Sequence, residues 1–247
     1  MARVGIVAAI FREVHPLLRT MKPLKYLPDK RVRLYEDDQK VIAYAGMGIE
    51  LAAVACRAVL ATGELSAIAS VGWAGGLNPA ASGGQVVEPS VVINGNSGER
   101  FSANGTGGIL VTVQRIAGLE EKRQIGERFR GDYVDMEAAV VAECAREAGV
   151  PFYSFKAISD AHDARLPDMN RFNRNGKFSV WRFMAYVGVR PSIWGAISDM
   201  SQASLQSRDA LSKRLDEWVK SVAKESAGKS EHEGHEVANQ RSRSTPS

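Results

Sequence analysis

The sequence predicts an α/β fold: a three-layer α/β/α sandwich around a mixed, mostly parallel central sheet. Three observations predict it. The fully apolar run Val4–Ala8, and Ala67–Val71, apolar but for Ser70, suit strands buried on both faces. Helical, Ala-rich stretches alternate with these runs, which is the pattern of a sheet covered by helices. The chain has 247 residues, 45% hydrophobic and 24% charged, enough for one large core without a second domain. Residues 1–222 are therefore expected to form one domain, and residues 223–247 a disordered polar tail.

In order, Val4–Ala8 opens the sheet and a helix follows over Glu13–Thr20, where Pro16 is tolerable only in the first turn. Arg31–Glu36 and Lys40–Ala45 read as paired strands around a tight turn at Asp37 and Asp38. Gly46-Met47-Gly48 turns into an apolar helix from Glu50 to Thr62. The strand Ala67–Val71 ends in the glycine-rich turn Gly72-Trp73-Ala74-Gly75-Gly76, and Gln85–Ile93 is the next strand. Asn94–Gly108 is rich in Gly, Ser and Asn and reads as a mobile loop or lid. Ile109–Val113 is a strand and Gly118–Phe129 a charged helix. A short strand then precedes a helix opening at Met136, which Gly149-Val150-Pro151 stops before a strand ending at Ile158. Two helical runs, Phe178–Val187 and Ser192–Val222, break at Pro191.

Composition excludes several function classes. The two cysteines, Cys56 and Cys144, fall on apolar helical stretches and read as core residues, so no disulfide framework is expected and a cytoplasmic setting is the default. The first ten residues are too short an apolar run for a signal peptide or membrane span. The net charge of +4 is concentrated: residues 165–190 hold six cations against Asp168 alone. No nucleic-acid recognition motif accompanies them. Glu231-His232-Glu233-Gly234-His235-Glu236 has its histidines three apart instead of four and lies in the polar tail, so no metal site is expected.

The stretch Asp132–Asp160 carries the chemistry. Glu137 is placed in the first turn of a helix and Asp160 just past a strand, the positions where open α/β sheets bind ligands. Taken singly, each has an ordinary explanation: helix-dipole preference for Glu137, turn chemistry for Ser159-Asp160. The glycine segments 46–48 and 72–76 are candidate cradles, the former able to present N–H groups to an anion. Neither matches a dinucleotide fingerprint or a P-loop.

Together, Gly-Ile-Val-Ala-Ala-Ile-Phe-Arg-Glu-Val (5–14), Gly-Met-Gly-Ile (46–49), Gly-Trp-Ala-Gly-Gly-Leu (72–77), Val-Asp-Met-Glu-Ala (134–138) and Ala-Ile-Ser-Asp (157–160) resemble the nucleoside phosphorylase/nucleosidase superfamily. The resemblance is closer to its 5′-methylthioadenosine/S-adenosylhomocysteine nucleosidase branch and spans about residues 3–165. It implies cleavage of the N-glycosidic bond of an adenine nucleoside, with no cofactor and a homodimeric assembly. Asp160 would protonate adenine N7, which requires a carboxyl group holding its proton near neutrality. Ser159 would orient it. Glu137 would bind the ribose hydroxyls, Met136 would pack on the sugar, and Glu13 would hold and activate the attacking water. The segment Leu110–Gln114, with Val113 as its representative, would supply backbone contacts to the base, and Trp73 and Gly75 would wall the pocket.

Phosphorylases of this superfamily hold phosphate with an Arg and a Ser around the second glycine segment and a Ser after the first. Here the matching places carry Ser70, Trp73 and Glu50 or its neighbours, a poor set for a dianion. Hydrolysis is expected; phosphorolysis by backbone donors, or a non-catalytic nucleoside- or lipid-binding protein of this fold, are the alternatives. Two departures concern the substrate. Trp73 stands where the nucleosidases usually have a hydroxyl, and their longer substrate-lobe segment is shortened to Asn94–Gly108. Leu166-Pro167, Asn173-Arg174-Asn175-Gly176-Lys177, Arg190-Pro191 and Ile197-Ser198-Asp199-Met200, over about Arg165–Leu215, resemble the hopanoid-associated phosphorylase-like group, thought to act on adenosylhopane. Trp181, Phe183, Tyr186 and Trp194, interleaved with Arg182 and Arg190, suit peripheral contact with an anionic membrane through residues 165–197, although amphipathic aromatic helices more often pack on a core.

Overall fold

The computed structural model describes residues 3–24, 29–164, 168–174, 177–178 and 207–225. Its elements are β1 (Arg3–Ala8), α1 (Phe11–Leu18), β2 (Lys22–Pro23), β3 (Arg33–Glu36), β4 (Lys40–Tyr44), α2 (Ile49–Leu60) and β5 (Leu65–Gly76). They continue with β6 (Val86–Val87), β7 (Val91–Asn94), β8 (Arg100–Ser102), β9 (Ile109–Thr112), α3 (Leu119–Phe129), β10 (Tyr133–Asp135), α4 (Ala138–Glu147) and β11 (Phe152–Asp160). A further helix, α5, covers residues 207–225.

One mixed sheet runs β2-β3-β4-β1-β5-β10-β9-β7-β8, with β11 beside β5 and β6 beside β11. The inner ladders β4–β1–β5–β11 and β7–β9–β10 are parallel; antiparallel pairs sit mostly at the edges. Strand β5 is the hinge of the arrangement. Its first part lies between β1 and β11, and its last residues, Gly75 and Gly76, pass beyond β1 and pair with β10.

Helices cover both faces. On one, Ala52, Ala55, Cys56 and Val59 of α2 and Ala138–Ala145 of α4 close over the sheet, and the two cysteines are buried and unbridged. On the other, Val14 and Leu17 of α1 join Leu211, Leu215, Trp218 and Val222 of α5 against β1, β5 and β11. Trp218 meets the rings of Tyr153 and Phe155 at 5.2 and 5.3 Å, edge-tilted. Helix α3 packs separately over β7, β9 and β10 through Ile125 and Phe129. The three-layer expectation holds.

Several expected details differ, each for a local reason. The region 72–76 is the end of strand β5, because β11 pairs with it as far as Gly75. Helix α1 starts at Phe11, two residues early, because Glu13 fixes its N-terminus; Pro16 therefore lies inside the helix, beyond the first turn. The helix ends two residues later, so little of it is lost to the missing N–H. The expected strand Gln85–Ile93 splits at Pro89 into β6 and β7. Asn94–Gly108 is no open lid: β8 returns against β7 as a hairpin, and Asn104 donates its Nδ2 to the Phe152 carbonyl at 3.1 Å. Helix α5 carries on through residue 225. The runs Phe178–Val187 and the first part of Ser192–Val222 lie outside the described residues apart from Phe178, as do 226–247 with their histidines.

Candidate active site

The carboxyl ends of β1, β5, β10 and β11 converge, and Glu13, Glu137 and Asp160 stand there. Glu13 Oε2 accepts the N–H groups of Ala9 and Ile10 at 2.8 and 3.0 Å, capping α1. Its Oε1 accepts the Trp73 N–H at 3.2 Å, tying α1 to β5. Gly72 makes room: a Cβ there would lie 2.6 Å from Glu13 Oε1. Glu13 is only 5% exposed. That burial pushes its carboxyl above the usual range, against the lowering effects of the Ile10 N–H and the Lys156 charge.

Glu137 is not in the first turn of α4 but at its N-cap, with non-helical φ −135° and ψ −34°. The capping work falls to Asp135, whose Oδ2 accepts the Ala138 N–H at 2.9 Å. Glu137 is thereby released to turn toward α2. Its Oε1 accepts the Gly48 N–H at 2.8 Å and its Oε2 the Met136 N–H at 3.2 Å. Gly48, at φ +100°, supplies a conformation that a side chain would strain. The anion expected at the 46–48 turn is thus the protein's own carboxylate. Burial, reinforced by the Asp135 charge, pushes Glu137 up to about 7, although Lys156 opposes it.

Beneath these acids lies a buried network that the sequence did not reveal. Lys156, on β11 and 1% exposed, pairs with Asp135 at 2.9 Å and donates to Ser70 Oγ at 3.0 Å. Thr112 Oγ1 donates to Asp135 Oδ1 at 2.6 Å and accepts the Ala139 N–H at 2.9 Å. Burial works against the Lys156 ammonium, but Asp135, Glu137 and Glu13 outweigh it and hold the lysine charged. Three acids share one cation here, a setting hostile to an added dianion.

Asp160 closes the other side. Strand β11 continues to it through a register shift at Ser159, a bulge that re-aims the following side chain. Ser159 Oγ lies 2.5 Å from Asp160 Oδ1 and 3.3 Å from the Ala74 carbonyl. Asp160 Oδ2 forms an ion pair with Lys122 of α3, which also donates to the Ala161 carbonyl at 2.8 Å. Gly75 backs this pair: a Cβ would approach Lys122 Cε to 3.0 Å and Asp160 Oδ2 to 3.3 Å. Lys122 was also missed. It falls in Glu120-Glu121-Lys122-Arg123, which looks solvated, yet it shares an inward stripe with Ile125 and Phe129 at helical spacing.

The remaining expected residues divide. Met136 is buried beside Gly48, its Cε 4.0 Å from where a Gly48 Cβ would stand. The Trp73 indole packs on the apolar cluster of α1 and α5, so the residue reaches the site through its backbone N–H. Val113 donates its N–H to the Asp135 carbonyl at 2.9 Å and lines a hollow of about 390 Å³ shared with α3. The loop after it is pinned by Asn170, which exchanges hydrogen bonds of 2.9 Å with both the N–H and the carbonyl of Ile116. That hollow, and another of about 450 Å³ between α1 and α5, are lined by neither Glu13, Glu137 nor Asp160. Among the described residues no group of His, Cys, Asp and Glu is arranged for a metal, and no helix is long and apolar enough to cross a membrane.

Comparison with known proteins places the fold and the family. The chain is 25% identical over 206 residues to the 5′-methylthioadenosine/S-adenosylhomocysteine nucleosidase of Buchnera aphidicola subsp. Baizongia pistaciae, covering 67% of this chain and 81% of the relative. Its fold matches the apo 5′-methylthioadenosine nucleosidase of Arabidopsis thaliana with a TM-score of 0.66 at 16% identity, over 89% of this chain and 96% of the other. It also matches the futalosine hydrolase of Helicobacter pylori strain 26695 with a TM-score of 0.64 at 16% identity, over 87% and 98%. The sequence profile of the phosphorylase superfamily matches residues 3–111 and 98–179. On that match, with the predicted sheet and motifs in place, the chain belongs to the phosphorylase superfamily.

Proposed function

We propose that this chain hydrolyses the N-glycosidic bond of an adenine nucleoside, releasing adenine. One observation carries the choice of water over phosphate. The backbone donors of the two glycine segments, Gly48 N–H and Trp73 N–H, are already committed to the carboxylates of Glu137 and Glu13. A phosphate dianion would find its donors taken and two acids in its way. The sequence relative named above supports the same chemistry.

In this reading Glu13 holds the water and takes its proton as the oxygen attacks C1′. Glu137 accepts hydrogen bonds from the ribose hydroxyls, and Met136 packs on the sugar. Asp160, oriented by Ser159, gives a proton to N7 so that the base departs neutral, with the C1′–N9 electron pair remaining on the purine. Val113, Gly75 and the Trp73 backbone form the walls. The assay is adenine release from methylthioadenosine, S-adenosylhomocysteine and an adenosyl lipid, with and without phosphate. Free ribosyl product without phosphate, lost in Asp160→Asn, is expected. Strict phosphate dependence would establish the phosphorylase instead, and tight nucleoside binding without turnover a binding protein.

The reading includes a cytoplasmic homodimer, as the family likeness suggests, to be checked by light scattering. Membrane contact is supported by the aromatic and cationic composition of residues 165–197, of which only 168–174 and 177–178 are described. Absence of salt-sensitive flotation with anionic vesicles would remove it.

A further inference from the structure

A general acid must carry a proton when the bond breaks, and both carboxyl oxygens of Asp160 are already engaged with donors. Its Oδ2 is in an ion pair with Lys122, and its Oδ1 faces the Ser159 hydroxyl at 2.5 Å. In such a pair the ammonium donates and the carboxylate accepts. The pair is enclosed, with the Lys122 side chain 4% exposed and that of Asp160 12%. It is also built in. Helix α3 turns Lys122 inward, the Ala161 carbonyl holds a second N–H, and β5 has a glycine, Gly75, where any side chain would press on Nζ and Oδ2. The neighbouring charges among the described residues are otherwise occupied. Glu121 on α3 is bonded to Arg115, His162 and Asp163 after β11 face each other at 3.8 Å, and Glu13 and Glu137 belong to the cluster around Lys156.

We infer that Lys122 is the proton source of the acid, a positioning residue acting through Asp160. As the C1′–N9 bond lengthens, a proton passes from Nζ to the Asp160 carboxylate at Oδ2, and from that carboxyl group to N7 of the base. The N–H bond at Lys122 breaks, leaving a neutral amine, and an N7–H bond forms. At the other end the water loses a proton to Glu13. One proton gained at Glu13 and one lost at Lys122 balance, and exchange with solvent restores both. This rests on Asp160 being the acid of the proposed hydrolysis.

The test uses the full chain as wild type, Lys122→Arg and Lys122→Met, with folding verified by circular dichroism. Arginine keeps the ion pair but does not surrender its proton, so it separates charge from proton supply. Near neutral pH both variants should lose about 10²- to 10⁴-fold in kcat for adenine release, with KM little changed. Lys122→Met should regain activity as pH falls, when the unpaired Asp160 takes its proton from solvent. Both variants should cleave 4-nitrophenyl β-D-ribofuranoside at near the wild-type rate, since that leaving group departs as a stable anion. Wild-type kcat in Lys122→Arg would overturn the inference, because charge alone would then suffice. A faster Lys122→Met would overturn it by making the lysine an obstruction. Equal losses on the aryl riboside would reduce Lys122 to a structural role. A wild type that releases no base would defeat the proposed hydrolysis itself, whereas an active wild type with unimpaired lysine variants would defeat the inference alone.

Discussion

Replacing Glu137 by glutamine should make the folded chain more stable in alkali and less stable in acid. The carboxyl ordinarily titrates near 4.5 but is pushed up to about 7 in the folded chain by burial and by Asp135. A raised value means the folded state holds that proton more tightly than the unfolded one. Relative to solvent, the protonated group's contribution is fully present below about 4.5 and is lost as pH climbs through about 7. At about 1.4 kcal/mol per pH unit, the ionised group costs at most about 3 kcal/mol above pH 8. Glutamine removes that cost. It can still accept the Gly48 N–H, but its amide nitrogen would face the Met136 N–H, now 3.2 Å from Oε2, a loss of about 1 kcal/mol. The balance is a gain of about 2 kcal/mol above pH 8 and a deficit of about 1 kcal/mol near pH 4. Urea unfolding of both proteins at the two pH values reads the difference directly. An equal change in stability at both would refute the argument, since it would mean that Glu137 does not titrate differently on folding. Any gain should come with weaker nucleoside binding, because the proposed function has the same carboxylate bind the ribose.

Two further substitutions probe the supports. Gly72→Ala would drive a methyl group against Glu13 Oε1; steady-state kinetics should show at least a tenfold loss in kcat, with a melting cost of about 1–3 kcal/mol. Lys156→Met would strand Asp135, whose side chain is wholly buried, and should cost about 3–5 kcal/mol in denaturant unfolding. A neutral result there would mean that Asp135 is satisfied by Thr112 and the Ala138 N–H alone.

The sheet was legible because it depends on local pattern, apolar runs and glycine segments; Glu137 and Asp160 stood out as carboxylates at the ends of elements, whereas Glu13 came only through the family resemblance. What was not legible depends on register and on long-range pairing. Lys156 lies within Phe152–Asp160, an apolar strand in which one lysine looks like a residue facing water. Its meaning emerges only when β10 brings Asp135 beneath it. Lys122 was hidden by its charged neighbours, although its spacing from Ile125 and Phe129 carried the signal. Glu137 was placed in the first turn instead of at the N-cap because the sequence does not say that Asp135, two residues earlier, supplies the bond to the Ala138 N–H. The Asn94–Gly108 segment looked loose by composition, and its order comes from the partner β7 and from the Phe152 carbonyl, both remote in sequence.

Strand β5 has a consequence for what the enzyme can accept. The backbone that binds Glu13, at Trp73, and the backbone that makes room for Asp160, at Gly75, are two residues apart on one hydrogen-bonded strand. At about 3.3 Å per residue, the two contacts stand roughly 6.5 Å apart along β5, and in the proposed hydrolysis that interval is a ruler between the attacking and departing sides. A ruler cut into a sheet does not stretch to suit a new substrate as a loop can. On the proposed reading, variation among nucleosides is therefore expected at the end of the sugar that the ruler does not measure.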